Sequence, residues 1–147
     1  MHIDRFTTIR LPIEPAEALP LFTPEGERAW VPGWDPEPVH APDGSLSREG
    51  AVFRTTHGGE ETVWLVLRVD PSRGAADYVR MTPGSRLGTV HVRCTDDGEG
   101  GTTVEVGYRL TALSSAGEEA LDAMTREAFE ADIRGWRAAI EALLAGR

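Results

Sequence analysis

Residues 116–145 carry apolar side chains that return every three or four positions. At about 100° per residue, Leu121, Met124, Ala128, Phe129, Ile133, Trp136, Ile140 and Leu143 fall into one broad stripe. Glu118, Glu119, Arg126, Glu127, Glu130, Arg134, Arg137 and Glu141 lie mostly outside it. Gly, Glu and Ala open the stretch and Gly146 ends it, so it is expected to be one long helix. A helix of this length with a single apolar face must bury that face against something, and the rest of the chain has to supply the partner.

The partner is upstream. From Trp34 to Leu113 apolar-rich runs occur at 51–57, 61–69, 75–81, 87–94 and 102–113, with a weaker one at 37–41. Turn formers separate them: Gly58-Gly59, Asp70-Pro71-Ser72-Arg73-Gly74, Thr82-Pro83-Gly84-Ser85 and Asp96-Asp97-Gly98-Glu99-Gly100-Gly101. Gaps this short favour hairpins and an antiparallel meander, because parallel strands need long crossovers. In the last run Val104, Val106, Tyr108 and Leu110 alternate with Thr103, Glu105, Gly107, Arg109 and Thr111, so one face of the sheet is buried and the other wet. Before these runs, residues 2–11 read as a further strand. Residues 15–22 and the segment beginning Thr23-Pro24-Glu25-Gly26-Glu27 read as two short helices, the first bent or ended by Pro20 and the second stopped by Pro32-Gly33. The expected architecture is α+β: about seven antiparallel strands in a curved sheet wrapped around a long C-terminal helix, with two short helices after the first strand. The chain reads as a single domain over residues 1–147, with no repeat or linker. A curved sheet and a straight helix cannot touch everywhere, and the gap between them becomes a cavity.

Composition narrows the function. Asp and Glu total 24 against 15 basic residues, a formal charge of −9, which argues against nucleic-acid phosphates and anionic membrane surfaces as partners. All basic residues are Arg; the lack of Lys removes Schiff-base chemistry and a P-loop, and the lack of Asn removes N-glycosylation. Cys94 is the only cysteine, so neither an intrachain disulfide nor a site with two zinc thiolates can form. No histidine pair among His2, His40, His57 and His91 has metal-ligand spacing, and neither a metal nor a cofactor is expected. Met1-His2-Ile3-Asp4-Arg5 has no apolar signal core and no run approaches a membrane span, so a cytoplasmic protein without stable membrane insertion is expected.

The strand-helix-helix opening, the segment FTPEGERAWVPGWDPEPV (22–39), the run GAVFRT (50–55) and VEVGYRLTALSSAG (104–117) before the terminal helix together resemble the START/Bet v 1-like superfamily. That group includes the polyketide cyclase/dehydrase and lipid-transport families and has the helix-grip fold. The resemblance covers nearly the whole chain. It implies the fold and leaves function open, since the superfamily holds lipid carriers, hormone receptors, cyclases and chaperone cofactors.

Candidate site residues follow from the sheet and helix faces. Trp30 and Trp34 flank Val31-Pro32-Gly33 and suit either the mouth of a pocket or a plug of the short helices onto the sheet. Phe53, Tyr78, Met81, Val90 and Tyr108 occupy strand positions expected to face the helix. Trp64 competes with Val63, Leu65 and Leu67 for the inward face. On the helix, Met124 and Phe129 belong to the stripe, and Thr125 and Asp132 fall near its centre, where a carboxylate must find donors or take up a proton. Asp132 with Thr125 would then line a partly polar pocket; a slight helix rotation would instead place Asp132 at the stripe's margin, in water. His57 sits where a pocket rim would lie and reads as an exposed turn histidine or as an acid or base. Glu60 and Glu61 face opposite ways, so shared acid–base work is not expected of them. Ser114-Ser115 read as a helix cap, Arg109 as a surface ion pair with Glu105, and no catalytic residue is assigned.

Three functions fit these readings. The first is binding of a small apolar or aromatic molecule, lipid- or polyketide-like, between sheet and helix. The second is a cyclase/dehydratase-type enzyme using the same cavity, which would need a titratable group such as Asp132, His57 or Tyr108 inside. The third is an interaction module of the chaperone-activator kind working through a surface.

Overall fold

A computed structural model describes Met1–Arg147. Seven strands, β1 (His2–Leu11), β2 (Glu37–His40), β3 (Val52–His57), β4 (Glu60–Asp70), β5 (Ala75–Thr82), β6 (Arg86–Asp96) and β7 (Thr102–Ala112), form one antiparallel sheet. Their order is β1-β7-β6-β5-β4-β3-β2, so a meander runs from β2 to β7 and β1 returns to its far edge. The turn chemistry set these hairpins. In the β4–β5 turn the Asp70 carboxylate accepts from the Ser72 N–H at 3.1 Å, and Gly74 takes the left-handed conformation (φ +61°) that closes it.

Between β1 and β2 the chain makes one helical turn, α1 (Pro15–Ala18), and two 3₁₀ turns, Leu19–Phe22 and Gly26–Ala29. The two short helices expected here are therefore tighter than α-helices over most of their length. Pro20 denies the first a continuous α-helical hydrogen-bond ladder. Thr23 starts the second as its sequence suggested, with Oγ1 accepting from the Gly26 N–H at 3.1 Å.

The terminal helix is not continuous. It consists of α2 (Ser115–Ala123) and α3 (Arg126–Ala145), broken at Met124-Thr125. Ser114 caps α2, its Oγ accepting from the Gly117 N–H at 3.2 Å. Thr125 is extended (ψ 163°) and caps α3, its Oγ1 accepting from the Ala128 N–H at 3.1 Å. Arg5 Nε donates to the Met124 carbonyl at 3.1 Å, satisfying one group that the break frees. Apolar periodicity continues across the break because the two helices bury different clusters: Leu121 packs with Ile3 and Leu110, while Phe129, Ile133 and Ile140 join the main core.

That core is formed by inward side chains of the sheet, among them Phe53, Val66, Ala76, Val92, Val104 and Val106, together with Phe22, Trp30 and the buried face of α3. The α3 backbone approaches the sheet most closely along β1, at one edge. The concave face over β3–β6 is left for the short turns to roof. That asymmetry places the cavity. No helix is long and apolar enough to cross a membrane.

Candidate functional site

The sheet contributes the floor of the cavity through strict alternation. On β4 Thr62, Trp64 and Val66 face inward; on β5 Ala76, Tyr78, Arg80 and Thr82; on β6 Val90 and Val92; on β7 Tyr108. The roof is the segment from Pro24 to Trp34. Its conformation requires glycine at 26, where a Cβ would overlap the Pro20 carbonyl, and the next residue, Glu27, lines the space below. Trp34 and Val31-Pro32-Gly33 complete the roof, and Trp136 reaches in from α3. Together these elements line a partly open pocket of about 270 Å³. That is near the lower end of small-molecule sites, enough for one or two rings.

Aromatic rings dominate the wall. Phe53 and Trp64 stack at 6.0 Å, and Trp34 meets both edge-on at 6.0 and 5.9 Å. Their polar tips are tied to the protein: Trp34 Nε1 donates to the Pro24 carbonyl at 2.7 Å and Trp64 Nε1 to Thr55 Oγ1 at 2.9 Å. Tyr78 is likewise spent structurally, its hydroxyl donating to the Phe22 carbonyl at 2.7 Å and so pinning a 3₁₀ turn to the sheet. Burial holds the Tyr78 phenol above its ordinary range, so it stays the donor. What remains for a ligand on these walls is ring faces.

Charged groups stand among the rings. Glu27 enters from the roof with neither an ion pair nor a hydrogen bond to its carboxyl, and burial pushes that carboxyl well above the ordinary carboxylate range, favouring the acid form. Arg80 enters from the floor, its guanidinium 5.1 Å from the Trp64 ring centre and 5.7 Å from that of Tyr108. Nearby Arg86 holds Glu60 in a two-point ion pair at 2.6 and 3.1 Å, which keeps the Glu60 carboxyl below its ordinary range. Burial raises the Tyr108 phenol, with Arg80 pulling the other way. No group of three or more His, Cys, Asp or Glu gathers to hold a metal.

An outer groove of about 520 Å³ adjoins the cavity, between α3 and the roof. Trp30, Met124, Phe129 and Asp132 line it, while Val31, Pro32, His57, Tyr108 and Trp136 line both spaces and form the partition.

The architecture matches solved structures along its whole length. The crystal structure of Ara h 8.0201 superposes with a TM-score of 0.69 at 13% identity, covering 100% of both chains. Truncated norcoclaurine synthase from Thalictrum flavum gives 0.71 at 11% identity, over 98% of this chain and 94% of that one. CalU16 from Micromonospora echinospora gives 0.54 at 21% identity, over 95% and 85%. The chain has the START/Bet v 1-like helix-grip fold. At these identities the likeness is one of fold. No protein-family profile matches the chain, and no curated protein matches it in sequence.

Within this helix-grip frame the sequence-derived candidates separate into groups. Trp34, Phe53, Trp64, Tyr78, Val90 and Tyr108 come together around the inner cavity. Trp30 lines the outer groove with one edge and is otherwise core, its Nε1 donating to the Leu21 carbonyl at 2.8 Å. Asp132 is solvent-exposed on the rim of that groove, so it stands at the margin of the stripe, not at its centre. Thr125 lines neither space, because its hydroxyl is the α3 cap. Met81 faces the opposite side of the sheet, paired with Val63; three residues from Tyr78, it cannot share Tyr78's face in a regular strand. His57 is exposed at the partition. Arg109 pairs with Asp4 at 3.6 Å across β1, while Glu105 is taken by His91 at 3.1 Å.

The reading of sequence missed Glu27 and Arg80. Both were charged residues in segments where charge is usually wet. The Arg80 signal was nonetheless present: at spacing two from Tyr78, alternation puts it on the same face.

Proposed function

We propose that the protein binds one small apolar or aromatic molecule, lipid- or polyketide-like in skeleton, in the cavity between the sheet and the Pro24–Trp34 roof, with Trp136 of α3 at its side. The observation that carries this reading is the partly open pocket of about 270 Å³, walled by the rings of Trp34, Phe53, Trp64 and Tyr108, with the indole N–H groups already bonded to protein. Such a wall rewards flat apolar surface by contact area and ring packing. A fold neighbour fits the reading: norcoclaurine synthase from Thalictrum flavum, TM-score 0.69 at 10% identity over 97% of this chain and 88% of that one, is solved in complex with dopamine and hydroxybenzaldehyde, both small aromatic compounds. The excess of acidic residues, at −9 overall, goes with a partner that is neither nucleic acid nor an anionic membrane. A cytoplasmic setting is part of the same proposal.

Calorimetric titration with a neutral two-ring probe, 2-naphthamide, tests it. One-to-one binding with a negative heat-capacity change is expected, and the Val90→Phe variant, which places a ring on the cavity floor, should weaken it at least about ten-fold. Binding unaffected by Val90→Phe in a folded variant would move the site elsewhere.

A second reading, a cyclase/dehydratase-type enzyme, is favoured by one observation: the Glu27 carboxyl and the Tyr108 phenol both face the cavity, and both are held above their ordinary ranges by burial. Turnover of a polycarbonyl substrate that disappears in Glu27→Gln while binding persists would support it.

A further inference from the structure

Arg80 is a half-buried cation, its Nε fully shielded, for which the protein provides no anion. It makes no ion pair, its one polar side-chain partner is the Tyr108 hydroxyl, and its Nε is shielded from solvent without an acceptor. Its neighbours explain why. On the cavity face it lies beside Trp64 on β4 and opposite Gly88 on β6, and the adjacent inward positions on its own strand are Tyr78 and Thr82. None of these is acidic. The nearest carboxylate, Glu60, is already gripped at two points by Arg86. Glu27 lines the same cavity from the roof but lies beyond ion-pair distance from Arg80. An arginine keeps its charge when buried, and a buried charge is retained against the cost of desolvation only when something compensates for it. The two ring faces, at 5.1 and 5.7 Å, and the Tyr108 hydroxyl supply part of that compensation and leave the Nε–H without an acceptor.

The fork has a preferred complement. A guanidinium edge matches a planar carboxylate at two points, and the cavity offers no second unpaired cation for a dianion. Resting on the small-ligand reading above, we propose that the cavity selects a ring-bearing monocarboxylate, its rings among Trp34, Phe53 and Trp64 and its carboxylate on the Arg80 guanidinium. Glu27, on the opposite wall, then faces the far end of the ligand, where its acid O–H donates to a carbonyl or hydroxyl oxygen.

A matched pair of probes tests the charge requirement apart from the cavity. 2-Naphthoate and 2-naphthamide have nearly the same shape and differ in charge. Titrated at pH 7.5 into the wild-type protein, 2-naphthoate should bind at least about ten-fold more tightly. In Arg80→Met the preference should vanish or reverse. Equal affinities in the wild-type protein would overturn the carboxylate proposal and leave the small-ligand reading standing. Failure of both probes to bind would overturn both. The wild-type comparison needs no variant, so it decides the matter even if Arg80→Met folds poorly.

Discussion

Replacing Arg80 by Met removes a half-buried charge and keeps a long unbranched stem, so the balance of terms gives a sign for the effect on stability. The guanidinium sits in a largely apolar cavity without an acidic partner, which costs several kcal/mol of lost hydration. Against this stand two ring faces at 5.1 and 5.7 Å, each contributing roughly 0.5–2 kcal/mol. Methionine gives up the ring–cation attraction and retains most of the packing. The net expectation is that Arg80→Met is more stable than the wild-type protein by about 1–3 kcal/mol. For a chain of this length that corresponds to a rise in Tm of about 3–10 °C. Urea unfolding of the ligand-free protein measures it, provided the slope against urea is unchanged. A gain in stability with loss of carboxylate selectivity is the signature of a residue retained for a ligand. A loss of more than about 1 kcal/mol would refute the reasoning, since Arg80 would then be a structural member of the core.

Four further outcomes are expected. Thr125→Ala should lose about 1 kcal/mol in urea unfolding through loss of the α3 cap, with 2-naphthamide affinity unchanged. Ile133→Ala, at a site 1% exposed under the sheet, should lose about 2–5 kcal/mol by the same measurement. Met81→Thr, on the opposite face from the cavity, should change stability by less than about 1 kcal/mol and leave binding untouched, whereas a cavity-lining residue would not tolerate the change so well. Glu27 should make stability fall as pH rises: burial lifts its folded-state pKa, so its full contribution is present below the unfolded value of about 4.3 and is lost as pH climbs toward the folded value. Glu27→Gln cannot ionise, so thermal melts of variant and wild type should nearly coincide at pH 4, with the variant melting higher at pH 7.

Much of this fold was visible in residue order because its determinants are local. Turn clusters such as Asp70–Gly74 and the alternation of Val104, Val106 and Tyr108 set strand ends and faces without reference to distant parts of the chain. The site was harder to see. Hydrophobic patterning sends charges to water by default, so it hides Arg80 and Glu27, although parity with Tyr78 places Arg80 on the inward face. The helix break at Met124-Thr125 was hidden for a different reason: Leu121 and Phe129 both bury, but in separate clusters, and a wheel projection merges them. Thr125 followed by Glu127 is the cap-then-acid pattern already read at Thr23, and it was the available clue. Asp132 moved to the rim because the rotation of α3 is set by contacts with the sheet that no helical wheel contains.

The most direct test of the account is a crystal structure of the protein grown with 2-naphthoate. The account predicts electron density for the two rings between Trp34, Trp64 and Tyr108, with the carboxylate within hydrogen-bond distance of Arg80. Density for the compound only outside the sheet–helix interior, or a cavity filled by a shift of α3 onto β4 and β5, would contradict it.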